Sequence, residues 1–239
     1  MKKTNFDSKD SWNKQPDIFI IVPVFNEGEV IKKVLQALCL TPYRIILVDD
    51  SSTDNTLQIA KEFPITVLHH IINLGQGAAL QTGFDFVLKQ KNAKCVVTFD
   101  SDGQHAVDDL VPIISPVITG EYDVVLGSRF LDKTAVGMPL LKLLTLKIGT
   151  TFTRLSTGLH VTDTHNGFRA FSFEALKKIN ITQNRMAHGS EILSKISKYK
   201  LKYCEVPVTI SYTDYTRRKG QSVLNSINIL WDLIFGRDE

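Results

Sequence analysis

The sequence predicts an α/β protein built on a doubly wound, mainly parallel sheet. Three observations predict it. Short β-branched runs alternate with amphipathic stretches through the first half of the chain. Those runs are apolar almost throughout, as strands covered on both faces are. Polar, glycine-containing clusters fall where the runs end, which is where such sheets bind ligands. With 239 residues, 43% hydrophobic and 22% charged, the chain has the length of one large domain and an ordinary globular composition, which excludes collagenous, low-complexity and disordered chains.

The first element is Ile18 to Val24, a short apolar run closed by Pro23 that reads as a fully buried strand; the polar leader 1–17 before it is expected to be mobile. A helix is expected from about Glu27, because Val30, Ile31, Val34, Leu35 and Leu38 keep helical spacing until Pro42 stops it. The cycle then repeats. Ile45 to Val48 reads as a strand, the Ser/Thr/Asp/Asn cluster at 51–55 as a helix start, Leu57 to Phe63 as the helix, and Ile65 to His70 as the next strand. Gly77 to Leu88 and Leu110 to Ile118 follow as helices, and Cys95 to Phe99 and Tyr122 to Leu126 as strands. Beyond Arg129 the pattern is irregular. Helices are expected near Leu140 to Leu155, Phe173 to Ile179 and Ser190 to Tyr199, and short strands at Tyr203 to Val206 and Val208 to Tyr212 around Pro207. From Val223, the residues Leu224, Ile227, Leu230, Trp231 and Ile234 share one helical face, which docks on the core or lies on a membrane surface. No repeat or Pro/Gly/Ser-rich linker divides 18–239, which reads as one domain: 18–132, a smaller part 133–221, and a terminal amphipathic helix 222–236.

The net charge of +3 hides an asymmetry. Residues 1–132 hold 12 Lys and Arg against 17 Asp and Glu, and 133–239 hold 16 against 8, so the halves carry −5 and +8. An acidic first half suits a metal cation; a basic second half suits a phosphate, a nucleic acid or a lipid headgroup. Cys39, Cys95 and Cys204 lie far apart without CxxC spacing and read as reduced core residues. No apolar stretch approaches the ~20 residues that cross a bilayer, and the start lacks the apolar segment of a secretory signal, so a cytoplasmic protein is expected, at most peripheral at the inner face of the membrane.

The sharpest local signal is Phe99-Asp100-Ser101-Asp102-Gly103-Gln104-His105, directly after a strand. Carboxylates at i and i+2 on a turn point into one small volume and repel unless a cation lies between them. Mg²⁺ or Mn²⁺ takes oxygen ligands from one or two carboxylates and from substrate phosphates, and Gln104 offers one more oxygen. Asp, Ser and Gly are also common turn formers, so the strand-end position carries the weight. The same rule picks out Pro23-Val24-Phe25-Asn26-Glu27 and Asp49-Asp50, whose carboxylates suit a ribose or base edge, with helix capping and turn formation as the plain alternatives. Asn73-Leu74-Gly75-Gln76-Gly77 is a helix entry that could admit a diphosphate, although it is neither a P-loop nor a GxGxxG fingerprint.

In this order, Ile21-Val22-Pro23-Val24-Phe25-Asn26-Glu27, Val48-Asp49-Asp50-Ser51-Ser52-Thr53-Asp54, Asn73 to Gly77, Asp100 to His105, Gly127-Ser128-Arg129 and Asp163-Thr164-His165-Asn166-Gly167-Phe168-Arg169 resemble the family 2 glycosyltransferases, inverting enzymes of the GT-A fold, over roughly Ile18 to Phe235. Within that family the chain is most similar to the dolichyl-phosphate mannose synthase branch and its bacterial cytoplasmic relatives in surface polysaccharide synthesis. The resemblance implies a Rossmann-like nucleotide-binding first half, an acceptor-side second half, a nucleoside-diphosphate sugar donor, Mg²⁺ or Mn²⁺, and a polyprenyl-phosphate, lipid-linked or saccharide acceptor. Carried over by position, Pro23, Phe25, Asn26, Glu27, Val48, Asp50 and Gly75 would line the nucleotide-sugar pocket. Asp100, Ser101 and Asp102 would meet ribose, phosphate and metal, with Gln104 as a further metal ligand. Arg129 and Arg217 would face the phosphates, and Arg169, His188, Arg218 and Lys219 the acceptor. Two departures count against a bare polyprenyl-phosphate acceptor: Ser222-Val223-Leu224 stands where the branch often has Ser-Lys-Leu, and the chain stops soon after its amphipathic segment, without the membrane helices that many relatives append.

An acceptor phosphate, with a second pKa near ~6, is already ionised at neutral pH, whereas a sugar hydroxyl needs a general base. Asp163 and Glu191 are the candidate bases, because related inverting enzymes place a carboxylate at comparable positions. The plain alternatives are that Glu191 sits in a helix's first turn and that Asp163 braces Arg169. His165 and His188 are further candidates, or turn residues. A sugar-phosphate nucleotidyltransferase is disfavoured because Phe25-Asn26-Glu27-Gly28-Glu29 is not the Gly-rich basic turn it requires. A nucleic-acid-binding role lacks interleaved aromatic and basic residues. A non-catalytic sugar-nucleotide-binding or assembly module of a polysaccharide pathway is the alternative that survives.

Overall fold

Strand β1 (Asp17–Val24) is apolar on both faces, with Phe19 to Val22 at most 2% exposed, so it lies inside a sheet covered on both sides. In the computed structural model, which describes residues 17–131, 149–151 and 153–211, β1 pairs in parallel with β2 (Arg44–Asp49) and with β4 (Ala93–Thr98). Strand β3 (Thr66–His69) extends the sheet beyond β2. On the other side, β5 (Val124–Ser128) and β7 (Tyr203–Pro207) are parallel partners, and β6 (Arg169–Ser172) runs antiparallel between β4 and β5. The order β3-β2-β1-β4-β6-β5-β7 puts the switch in strand order between β1 and β4.

Two hydrophobic layers enclose this sheet. Phe19, Ile21, Ile46 and Val48 pack with Leu80, Phe84, Leu176 and Ile192 of α3 (Gln76–Leu88), α6 (Phe173–Leu176) and α7 (His188–Lys198). Their neighbours Ile20, Val22, Ile45 and Leu47 pack with Leu35 and Ile113 of α1 (Ile31–Leu38) and α4 (Leu110–Ile118). Alternate residues of one strand thus feed opposite layers. Two short elements complete the described chain: α2 (Thr56–Ala60) and α5, helical at 149–151 and 153–157. Most of the helix expected at Leu140 to Leu155, the terminal amphipathic segment, and Arg217, Arg218 and Lys219 lie outside the described residues.

The structure differs from expectation in three places. The first helix starts at Ile31 rather than Glu27, because Asn26 adopts φ 53° and the Glu27 carbonyl receives the N–H groups of Val30 and Ile31 in a turn. Strand β6 was not expected. Its four residues include a buried arginine and are buried but for the last, so they show no period of two. Of Val208 to Tyr212, the described residues contribute a single bridge, His105 to Ile210, which ties the loop after β4 to the segment after β7.

Helix α3 lies close against β1 at Gly83. A Cβ there would lie 2.6 Å from Ile21 Cγ2 and 2.9 Å from its Cδ1, and Ile21 is fully buried in the central strand. Gly83→Ala is expected to lower the unfolding free energy by about 1–3 kcal/mol despite alanine's better helix propensity, as measured by urea denaturation. Unchanged stability would show that α3 has room to move off β1.

Candidate active site

The loops leaving β1 and β2 are built as one unit. The backbone N–H groups of Asn26, Glu27 and Gly28 donate to Ser52 Oγ (2.9 Å), Thr56 Oγ1 (2.8 Å) and Asp54 Oδ2 (3.0 Å). In return, Asn26 Oδ1 accepts from Thr53 N–H at 2.8 Å. The polar cluster at 51–55 therefore braces the neighbouring loop; its Asn55 caps α2 without a side-chain hydrogen bond. Pro23 and Val48, opposite each other in the β1–β2 register, are buried, so the Val48 side chain faces the core and not a pocket. Phe25 is exposed beside them.

Asp50 is buried and turned to the loop after β3. Its Oδ1 accepts from Leu74 N–H (2.9 Å) and lies 2.8 Å from His70 Nδ1, and its Oδ2 accepts from Gly75 N–H at 2.7 Å. The next free amides of that loop, Gly77 and Ala78, donate to the Asn184 carbonyl. Within the segment expected to admit a diphosphate, the amides of Leu74, Gly75 and Gly77 thus serve Asp50 and Asn184.

After β4, both oxygens of Asp100 are held from its flanks: Gln76 Nε2 donates to Oδ1 at 3.0 Å, and His105 Nε2 lies 3.0 Å from Oδ2. Burial alone would raise the Asp100 carboxyl, but the His105 hydrogen bond and the nearby His188 and Arg169 pull it below the ordinary range. Asp102 goes the other way, raised by burial and by the Asp100 charge. Its oxygens accept from the Gln104 backbone (3.0 Å) and from Gln104 Nε2 (2.7 Å). Ser101 is buried between the two acids.

The segment 163–169 closes this site from below. Gly167 packs directly under Asp100, where a Cβ would come within 2.5 Å of Oδ2 and 2.6 Å of Oδ1. Asp163 binds Arg129 through Nε (2.6 Å), Nη2 (3.2 Å) and its backbone N–H (3.2 Å), with both residues buried. Its partner is thus Arg129, not Arg169. Arg169 is buried too and donates to the carbonyls of Asn166 (3.0 Å), Gly189 (3.2 Å) and Thr164 (3.0 Å); burial brings its pKa down to about 10. Glu191 accepts from Thr182 N–H and Oγ1, from Gln183 N–H and from Lys195 Nζ. The carboxylates of both candidate bases are thus engaged by donors of the chain itself.

Residues 19–180 match the family model described as glycosyl transferase family 2. The chain belongs to that family. A Methanocaldococcus jannaschii protein of uncharacterized function is 40% identical, over 98% of this chain and 97% of its own length. The UDP-N-acetylglucosamine–dolichyl-phosphate N-acetylglucosaminyltransferase of Methanococcus voltae is 36% identical, over 91% of this chain and 94% of its own. Glucosyl-3-phosphoglycerate synthase of Mycobacterium tuberculosis, solved with phosphoglyceric acid, superposes with a TM-score of 0.71 at 20% identity, covering 94% of this chain and 82% of that one. Another crystal structure of that enzyme holds Mn²⁺, UDP and glucosyl-3-phosphoglycerate. The fold of this family 2 glycosyltransferase is GT-A, as expected. Among its described residues no helix is long and apolar enough to cross a membrane, and no group of three or more His, Cys, Asp or Glu side chains is placed to hold a metal ion.

Four residues of this glycosyltransferase escaped the sequence reading. Gln76 and His105 flank Asp100, and Gly167 lies beneath it. Gln76, His105 and Gly167 lay inside motifs already noted, so a search of each motif for partners of the acidic pair would have found Gln76 and His105. Glu205 in β7 carries no motif at all. Its carboxylate accepts from Thr162 N–H (2.8 Å) and Asp163 N–H (3.1 Å) and so fixes the segment that presents Asp163 to Arg129. Burial raises its carboxyl, and those amides hold the charged form against it.

Glu191 generates a stability prediction. Burial would raise its carboxyl, but Lys195, Gln183 and Thr182 outweigh burial and lower it. A glutamate whose folded pKa is depressed contributes stability that is present above the unfolded value of ~4.3 and is lost as pH falls through the folded one. Glu191→Gln is expected to cost about 1–2 kcal/mol at pH 7. In urea titrations the gap between variant and wild type should close below about pH 4. A gap that is the same at both pH values would mean that the carboxylate charge is not what holds 181–183.

Proposed function

We propose that this glycosyltransferase moves a hexose, with inversion, from a nucleoside-diphosphate sugar to a polyprenyl phosphate, in a reaction that depends on Mg²⁺ or Mn²⁺. The observation that carries the donor half is the pair Asp100 and Asp102 at the carboxyl end of β4, beside the switch in strand order. The raised Asp102 carboxyl is what two crowded acids show before a cation joins them, and an all-oxygen set of Asp100, Asp102 and Gln104 suits a hard divalent ion that also binds substrate phosphates. Those three residues would hold the ion, which when bound offsets the charge growing on the leaving nucleoside diphosphate.

This chain's own groups do the rest. Phe25, Asn26 and Glu27 flank the nucleoside, while Pro23 and Val48 hold the strand ends behind them from within the core. Asp50 and Gly75 act together, Asp50 holding the Leu74–Gly75 backbone at the pocket edge. Ser101 faces the diphosphate with the acidic pair. Arg129, oriented by Asp163, and Arg217 bind its phosphates, and Arg218 and Lys219 bind the anionic acceptor.

An acceptor phosphate needs no general base, because it carries its charge at neutral pH. The occupied state of Asp163 and Glu191 supports such an acceptor over a sugar hydroxyl, and so does the lipid phosphate in the name of the Methanococcus voltae relative. In this reading the two carboxylates position Arg129 and the 181–183 segment and take no proton from the acceptor. The enzyme would then work as a peripheral protein on the cytoplasmic face of a membrane.

Asp102→Asn is expected to reduce transfer by at least ~10²-fold with the fold intact, as removal of a charge-stabilising group does. The same variant should lose the Mn²⁺-dependent rise in thermal stability that one nucleotide among UDP, GDP, dTDP and CMP gives the wild type. Near wild-type turnover of a folded Asp102→Asn protein would remove the metal assignment. A wild type that no nucleotide stabilises would favour the non-catalytic module.

A further inference from the structure

We propose that His188 is a specificity-determining residue whose Nε2 accepts a hydrogen bond from a hydroxyl group of the donor sugar. The inference rests on the nucleotide-sugar reading above and replaces the acceptor role that the sequence position implied for this residue.

His188 opens α7 and is 7% exposed. Its Nδ1 lies 2.7 Å from the Arg185 carbonyl oxygen. A carbonyl can only accept, so the proton of that hydrogen bond sits on Nδ1. Burial, more than any other influence, lowers the pKa of the ring, and the Arg169 charge adds to it, so the imidazole is neutral and has no second proton. Nε2 is therefore a bare lone pair. Among the described residues it has no hydrogen-bond partner, while the other ring nitrogen is fully engaged.

The surroundings place this lone pair at the site. A Cβ on Gly77 would touch His188 Cβ at 3.0 Å, so the residue abuts the start of α3, whose Gln76 holds Asp100. The next residue, Gly189, receives Arg169 Nη1, and His188 lies within electrostatic reach of both Arg169 and Asp100. What binds here must bring its own donor. A phosphate dianion has none, so it would pair with Nε2 only if the ring took up a second proton, which burial and the Arg169 charge oppose. A sugar attached to a diphosphate at Asp100 and Asp102 carries hydroxyls of that kind. An acceptor that a bound sugar covers and leaves unpaired discriminates against that sugar.

Two substitutions separate the two ring nitrogens. His188→Asn keeps a donor near the Nδ1 position for the Arg185 carbonyl and removes the Nε2 acceptor. His188→Gln puts an oxygen near the Nε2 position and gives up the tether. Calorimetric titration with Mn²⁺ would compare UDP and GDP with UDP-N-acetylglucosamine, UDP-glucose and GDP-mannose. The expected result is that His188→Asn binds the bare nucleotide within about twofold of wild type but the preferred sugar nucleotide at least ~10-fold more weakly, with His188→Gln restoring most of that loss. The reverse order, a native-like Asn variant and a Gln variant weakened for bare nucleotide and sugar nucleotide alike, would reduce His188 to a structural tether and overturn the proposal. Equal losses for nucleotide and sugar nucleotide in both variants would overturn it as well. A wild type that binds none of the five ligands is a different result, because it removes the donor reading itself.

Discussion

Carboxylates that accept backbone N–H groups hold the carboxyl-end loops of this sheet together. Loops at strand ends have no ladder to satisfy their amides, and an amide buried without a partner costs about 1–3 kcal/mol. Asp54 takes Gly28, Asp50 takes Leu74 and Gly75, Glu205 takes Thr162 and Asp163, and Glu191 takes Thr182 and Gln183. Each of these bonds joins segments that are distant in sequence or opposite in direction. The site's shape follows from them, because every loop that borders Asp100 is tied through such a carboxylate or rests on one that is.

That arrangement has an electrostatic consequence. Acids that hold amides are compensated where they stand, so they add little to the field in the cleft. The pair Asp100 and Asp102 is different, since one acid is lowered by its donors while the other is raised by burial and by its neighbour. There the charge of Asp102 stands against both burial and its neighbour. The buried Arg169, which donates to carbonyls rather than to a carboxylate, adds positive charge behind Asp100 and helps keep it ionised.

The chain order of strands and helices through β5 was legible because each buried strand is an apolar run bounded by turn residues. Strand β6 was not, since four residues with a buried arginine carry no pattern that local sequence can report. In the site, the places were legible and the partners were not. Spacing suggested Asp163 with Arg169, six residues away; the structure pairs it with Arg129, 34 residues away, because β6 inserts between β4 and β5 and brings residue 163 back to the end of β5. Glu205 had no signal of its own. Its task is to receive two amides from another loop, and nothing in the sequence of β7 records which loop will pass beside it.

A carboxylate at a motif position is therefore poor evidence for a catalytic base. The amides and Lys195 around Glu191 stabilise its charged form, and a group so stabilised is a weak proton acceptor, while both oxygens of Asp163 are taken by Arg129 and the His165 amide. To act as bases they would have to abandon the loops and the arginine they hold. A nucleophile that arrives already ionised removes that conflict, since the enzyme then has to manage charge on the leaving diphosphate and not a proton. In the proposed reading the same acids are spent on rigidity, which holds the geometry around Asp100 and Asp102, and preorganisation takes the place of proton transfer.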